Sequence, residues 1–271
     1  DELEKIVRER KIDRIVVALA QRRGNFPTDV LLRMSLENNV NIEECASFFE
    51  RITGQVNIDM LRPSWLIFSG RSRDTRLKIA FREVFNRLLA MIGFVLSFPI
   101  GVLTAIAIKL ESKGDIFYTQ ERVGKNGSVF KLIKFRSMQA DAEPDGKPVW
   151  ATSDDDRTTV VGKFIRKVRI DEIPQFWNII KGEMSFIGPR PERPHFVSEL
   201  ASEVPFYDHR HLVAPGLTGW AQIKFPYGAS LDDARQKLQY DLYYIKNQSL
   251  ALDVIITFET IKTVLFGKGG R

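Results

Sequence analysis

Between Leu88 and Ile108 the chain runs for 21 residues without a charged side chain, LLAMIGFVLSFPIGVLTAIAI. As a helix this stretch is about 31 Å long, close to the thickness of a bilayer's hydrocarbon core. Such a run is predicted to meet lipid rather than to sit inside a soluble core. Pro99 stands almost at its centre and leaves each half about 15 Å long, too short to cross alone. Proline removes a helix hydrogen bond and forces a kink, and the Ser97 hydroxyl two residues earlier can serve a freed carbonyl. Arg76, Lys78, Arg82 and Arg87 precede the run, and Lys109, Lys113 and Arg122 follow it. Basic flanks on both sides place both ends at the cytoplasmic face. The expected element is a re-entrant helix-break-helix over residues 77–115, with Ser97 and Pro99 at the break.

Further on, Arg166 to Arg190 reads RKVRIDEIPQFWNIIKGEMSFIGPR. Pro174 suits the first turn of a helix, Ile173, Phe176, Trp177 and Ile180 recur at helical spacing, and Gly182 supplies a stop. Asp171 and Glu172 thus fall at a helix N-terminus, where unpaired N–H groups and the helix dipole favour anions. Arg166, Lys167 and Arg169 add to the same field. One reading makes Asp171 an N-cap and Glu172 a first-turn acid. The other makes the pair a phosphate-handling centre, because Gly188-Pro189-Arg190-Pro191 offers a guanidinium from a stiff loop suited to a phosphate.

Around this stretch the chain mixes helices and strands. Ile116–Val123 and Ser128–Phe135 are β-rich runs about Gly124-Lys125-Asn126-Gly127, and Asn-Gly predicts a hairpin because both turn positions want positive φ. The hairpin presents Gln120, Arg122, Lys134 and Arg136 on its faces. Gln139–Asp156 is a polar loop, with Ser153 or Asp154 expected to start the next helix. The Asp154-Asp155-Asp156 run lacks the spacing of a calcium loop and reads as capping or solvated. His209 and His211 lack a third ligand in view and read as surface residues. Pro215-Gly216-Leu217-Thr218-Gly219-Trp220 reads as a turn leading into a short strand, AQIKF. Leu250–Phe266 is an amphipathic helix that either packs on the core or lies at a membrane interface.

The first 54 residues alternate helix, strand, helix, strand, helix, as in the last part of a doubly wound α/β domain. Asp1 opens a charged helical pattern rather than a leader, so the first half of that sheet is expected to precede it. Without a Gly-rich phosphate turn, a packing or regulatory role is expected of this part. Residues 55–76 read as a linker, with Trp65, Leu66 and Phe68 free to dock on something apolar. Cys45 is the single cysteine, which excludes an internal disulfide and a multi-cysteine zinc site. A net charge of +6 fits phosphorylated substrates or anionic lipid. Nucleic acid is disfavoured because the basic residues flank an apolar run instead of forming an aromatic-interleaved patch.

Four segments in order, FYTQERVGKNGSVFKLIKFRSM, DDDRTTVVGKFIRKVRIDEIPQFWN, KGEMSFIGPRPE and APGLTGWAQI, resemble the bacterial sugar transferases that act as polyprenyl-phosphate hexose-1-phosphate transferases, the monotopic phosphoglycosyl transferases. The resemblance covers about Leu77 to Phe266. Asn86 departs from it, standing where the family commonly has an aspartate. It implies an α/β chain: an α+β catalytic domain over 116–271 behind the re-entrant helix, preceded by the end (1–54) of a nucleotide-binding-like domain and the 55–76 linker.

The implied reaction moves a sugar 1-phosphate from a UDP-sugar to a membrane polyprenyl phosphate and releases UMP, at the cytoplasmic face of the bacterial inner membrane. Asp171, an ionised carboxylate, is the expected nucleophile, forming an aspartyl-phosphosugar intermediate. Glu172, with Asp171 beside it, is expected to hold Mg2+. Arg122, Lys134, Arg136, Arg166, Gln175 and Arg190 are the expected substrate-binding residues. Oligomeric state and the identity of the sugar are left open. A Leloir glycosyltransferase releasing UDP, or a non-catalytic scaffold of polysaccharide assembly, are the alternatives.

Overall fold

The computed structural model describes residues 2–18, 27–37, 40–61, 76–139, 157–225, 228 and 230–265. Trp65, Leu66, Phe68 and the Asp154–Asp156 run lie outside them. The chain forms two compact units, residues 1–62 and 63–271.

In the first unit α1 (Glu2–Glu9), β1 (Arg14–Val17), α2 (Thr28–Glu37), β2 (Asn41–Glu44) and α3 (Cys45–Thr53) follow one another. β1 and β2 pair in parallel with Ile15 opposite Ile42, so α2 is the crossover of a βαβ unit. Val7, Met34 and Val40 are buried at its centre, with Ile12, Ile15, Val30 and Ile42 against them. Gly54, in the left-handed region at φ 66°, closes α3.

The second unit opens with α4 (Arg76–Glu111), a helix long and apolar enough to cross a membrane by length and composition. It is helical through Pro99, and Ser97 Oγ donates to Phe94 O at 3.2 Å. One stripe of α4 is small and packed. Ala90 is buried among Phe130, Leu132, Ile179 and Met184, a β-carbon on Gly93 would stand 3.2 Å from the Phe176 ring, and Ile108 is buried against Phe135 and Ile165. Its other face exposes Met91, Ile92, Val95, Leu96, Phe98 and Leu103.

β3 (Phe117–Val123) and β4 (Val129–Phe135) form the hairpin, antiparallel with Tyr118 opposite Lys134, and Asn126 and Gly127 carry φ 56° and 78° as the Asn-Gly signal requires. Asn178 ties β4 to α6 (Gln175–Lys181). Its Oδ1 accepts from Ile133 N and its Nδ2 donates to Lys131 O and Glu183 Oε2. Between them α5 (Val160–Lys167) starts at Thr159, whose Oγ1 accepts from Gly162 N. The Glu111 carboxylate at the end of α4 also accepts from Val160 N and Val161 N. Ser153 and Asp154, the residues expected to start this helix, are outside the described segments.

β5 (Ser185–Ile187) runs parallel to β6 (Gly216–Thr218), separated by α7 (Pro194–Glu203) and a 3-10 stretch Tyr207–Leu212. The segment AQIKF differs from the expected strand. Pairing with β5 is taken by Gly216–Thr218, and Trp220–Lys224 coils into the short helix α8, burying Trp220 and Ala221. α9 (Leu231–Lys246) begins at a Ser230–Asp233 capping box. α10 (Leu250–Leu265) buries Leu252 and Ile256 against Trp220 and Tyr244 but exposes Leu250, Val254, Phe258 and Ile261. An Arg82–Asp253 ion pair joins α4 to α10, and Tyr244 OH donates to Asp253 Oδ1.

Candidate active site

The Asp-Glu pair sits in a short 3-10 turn, Ile170–Glu172, ahead of α6 rather than in the first turn of α6 itself. Pro174 is the residue that opens α6. Arg169 precedes the turn at φ 61°, a left-handed conformation that costs a non-glycine residue about 1–2 kcal/mol. This reversal ends α5 and brings both acids inward; Asp171 is 7% exposed.

Glu172 gathers the cations. Its Oε1 lies 3.3 Å from Lys134 Nζ on β4, 3.5 Å from Arg169 Nη1 and 3.6 Å from Arg190 Nη2 on the loop after β5. Burial by itself would push the Glu172 carboxyl up, but Lys134, Arg190 and Arg169 outweigh it and hold it at about 2. Glu172 is therefore ionised at neutral pH. Lys134 is pulled below the usual lysine range by its own burial, with Glu172 opposing.

Asp171 differs from its neighbour. Burial raises its carboxyl above the usual carboxylate range, Lys134 opposes, and Glu172 raises it further, while Arg169 and Arg166 act in the same sense as Lys134. The sequence expectation of an ordinary carboxylate is modified to that extent. Oδ1 of Asp171 is buried and accepts no hydrogen bond. A buried acceptor with no donor is costly unless something outside the protein satisfies it.

The remaining expected residues divide. Arg166 donates to Thr158 Oγ1 at 3.1 Å and its charge reaches Asp171; Gln175 is buried at the start of α6. Arg190 Nη1 donates to Gln222 Oε1 at 2.9 Å, a partner on α8 that sequence reasoning missed. Arg122 and Arg136 are committed elsewhere. Arg122 Nη1 donates to Pro191 O at 2.8 Å and its Nη2 to Gln120, and burial lowers it to about 10. Arg136 sends its Nη groups to Ser112 O, Ser112 Oγ and Lys113 O just past the end of α4, where cations favour a helix C-terminus. Both guanidiniums brace backbone, so their place in the fold is that of framework.

Two adjacent carboxylates form a donor set of the kind that suits Mg2+, which is commonly held by one or two carboxylates plus substrate oxygens. Asp171 Oδ1 fits, being buried and without a donor, whereas Glu172 Oε1 already faces three cations. Among the described residues no group of three or more His, Cys, Asp and Glu could hold a metal by itself.

The profile of the family described as bacterial sugar transferase matches residues 77–267. A UDP-N-acetylgalactosamine-undecaprenyl-phosphate N-acetylgalactosaminephosphotransferase of Aeromonas hydrophila is 47% identical over 222 residues, 82% of this chain and 52% of that protein. A UDP-glucose:undecaprenyl-phosphate glucose-1-phosphate transferase of Klebsiella pneumoniae is 38% identical over 187 residues, 68% of this chain and 40% of its own length. The exopolysaccharide production protein ExoY of Sinorhizobium fredii is 35% identical over 202 residues, 69% of this chain and 87% of its own. The chain thus spans about half or less of the first two relatives. The matched region contains α4, the hairpin, the Asp171–Glu172 turn and the Arg190 loop, and the chain belongs to the bacterial sugar transferase family.

Proposed function

We propose that this chain transfers a sugar 1-phosphate from a UDP-sugar to a polyprenyl phosphate at the cytoplasmic face of the bacterial inner membrane, releasing UMP. The observation that carries the reading is the contrast within one turn. Glu172 is held ionised by Lys134, Arg169 and Arg190, while Asp171 beside it keeps a buried carboxylate oxygen without a donor.

In the proposed first half-reaction an Asp171 oxygen attacks the phosphorus that carries the sugar. A P–O bond forms, the bond to the bridging oxygen breaks, and UMP leaves with that oxygen. In the second, an oxygen of the lipid phosphate attacks the same phosphorus and the Asp171–phosphorus bond breaks, giving the lipid diphosphosugar and regenerating the carboxylate. Burial that raises the basicity of Asp171 also strengthens it as a nucleophile once ionised. Each approach brings negative charge to negative charge, and Lys134, Arg166, Arg169 and Arg190 supply fixed positive charge around the two buried acids. Mg2+, when bound, would be held through Asp171 Oδ1, since Glu172 Oε1 is already met by three cations, and would neutralise diphosphate charge.

The packing of α4 supports a membrane-embedded but non-spanning helix. Ala90 and Ile108 are 18 positions apart, about 27 Å along a helix, which nearly matches a hydrocarbon core. Both are buried against the same unit, and a polar catalytic domain cannot lie on both sides of a bilayer. The exposed apolar face of α4, which stays helical through the expected break at Ser97 and Pro99, is assigned to lipid, and the exposed face of α10 to the interface.

One assay tests the reaction: the nucleotide released in the presence of polyprenyl phosphate and Mg2+, across a panel including UDP-N-acetylgalactosamine and UDP-glucose. UMP is expected, and UDP would establish the Leloir reaction instead. Asp171→Asn is expected to abolish both turnover and capture of a phosphosugar adduct; wild-type exchange of UMP into UDP-sugar by that variant would overturn the covalent scheme.

A further inference from the structure

The turn that presents Arg190 is short of its own hydrogen-bond donors. Pro189 and Pro191 lack N–H groups, so the segment can be anchored chiefly through its carbonyls. Four successive carbonyls are held, each by its own donor. Pro189 O accepts from Gly216 N at 2.9 Å, Arg190 O from Arg210 Nη2 at 2.9 Å, Pro191 O from Arg122 Nη1 at 2.8 Å and Glu192 O from Val123 N at 2.9 Å.

Of these donors, Arg210 is the one that carries a buried carboxylate partner of its own. It is 7% exposed, donates through Nη1 to Tyr207 OH, and stands 2.9 Å from Asp241 Oδ2 on α9, itself 2% exposed. A guanidinium in so dry a place is tolerated only with a counter-charge, and among the described residues its ion pair is with Asp241. Nη2 thus lies against the carboxylate and donates to the backbone of the phosphate-binding arginine, while Nη1 holds Tyr207, a two-armed arrangement that lysine cannot reproduce.

We propose that Arg210 and Asp241 are a positioning pair for the transfer reaction: Asp241 neutralises Arg210, and Arg210 fixes the Arg190 backbone so that its guanidinium stays beside Glu172. The proposal rests on the reading of the Asp171 site as a phosphosugar transferase. The charged and titratable groups facing Asp241 are Arg210 and Tyr207 from the 3-10 stretch, Glu192 from the turn, and Lys237 from α9 itself. Burial raises the Asp241 carboxyl to about 6 against the pull of Arg210, so the counter-charge weakens in the mildly acidic range. None of these groups touches Asp171 or Glu172 in the structure; the pair acts through Arg190.

The test uses the full chain reconstituted in lipid with polyprenyl phosphate, measuring UMP release and, independently of turnover, the affinity for UDP. Asp241→Asn is expected to lower kcat/KM about tenfold, to weaken UDP binding by a similar factor and to flatten the acidic limb of the pH profile near pH 6. In an Arg190→Ala background the same substitution is expected to leave UDP affinity unchanged, because the residue it positions is gone. Additive losses in the two backgrounds would overturn the proposal. Should Asp241→Asn not fold, Arg210→Lys, which keeps the buried charge, is put through the same cycle with the same criteria. Failure of the wild-type chain to release UMP overturns the reading of the site. UMP release together with additive losses overturns the positioning pair alone.

Discussion

Lys134 Nζ stands 3.3 Å from Glu172 Oε1, and this one ion pair fastens strand β4 to the turn that carries Asp171. Both side chains are largely buried, so the pair cannot be broken from one side without stranding a charge. Lys134→Met is expected to destabilise the chain by about 3 kcal/mol and to lift the Glu172 carboxyl from its depressed value. Urea midpoints at neutral pH read the first effect. A loss of UMP release beyond that explained by unfolding reads the second.

Asn178 is wholly buried and serves β4, α6 and Glu183 at once. Asn178→Ala strands Ile133 N and Lys131 O on either side of Leu132, one residue short of Lys134. Each orphaned buried group costs about 1–3 kcal/mol, so a loss of about 2–4 kcal/mol is expected with no change in denaturant slope. Asn178→Asp is expected to recover none of it, since the oxygen that replaces Nδ2 would face two acceptors, Lys131 O and Glu183 Oε2, in a buried place.

Gly216 lies where two backbones almost touch. A β-carbon there would stand 2.1 Å from Gly188 N and 2.3 Å from Thr218 O, contacts that only movement of β5 and β6 could relieve. Gly216→Ala is therefore expected to displace the loop bearing Arg190 and to cost more activity than stability. UDP affinity falling while the unfolding midpoint moves by a few degrees is the expected pattern.

Acid should act on the fold through two carboxylates of opposite sense. Glu172 has a folded value of about 2 against an ordinary 4.5, so its stabilising contribution is full above about 4.5 and is lost as pH falls toward 2. Asp241 is raised from 3.8 to about 6, so its contribution favours the fold below about 3.8 and is lost as pH rises through 6. Denaturation midpoints measured between about pH 4.5 and 6.5 are expected to show a smaller decline with pH in Asp241→Asn than in the wild type.

Much of this architecture was legible in the residues themselves. Asn126-Gly127 announces its hairpin because two positive φ values are needed there, and the uncharged run announces α4 because charge is costly in lipid. Asp171, Glu172, Lys134 and Arg190 could be named from their motifs, and the structure brings all four together.

What stayed hidden was long-range partnership. An arginine at a strand's end reads alike whether it faces substrate or, as with Arg136 just past β4, carbonyls at the end of a helix 24 residues earlier. The role of Arg210 depends on α9, and that of Gln222 on α8, where the alternating AQIKF pattern pointed to a strand. Arg169 was legible as part of the surrounding positive field but not as a direct partner of Glu172, because that pairing goes with its left-handed backbone.

The two-sided character of α4 also fixes a height. If α4 is embedded as proposed, its exposed apolar side chains set how far the chain sinks into one leaflet, while Ala90 and Gly93 on the opposite stripe lock that same helix to the α6 layer, just after the acids. Immersion and reach are thus one dimension of a rigid body. On the proposed reading the helix works as a float with Asp171 mounted at a set level above it, so a thinner or thicker leaflet would change which phosphates Asp171 meets before it changed any contact inside the protein.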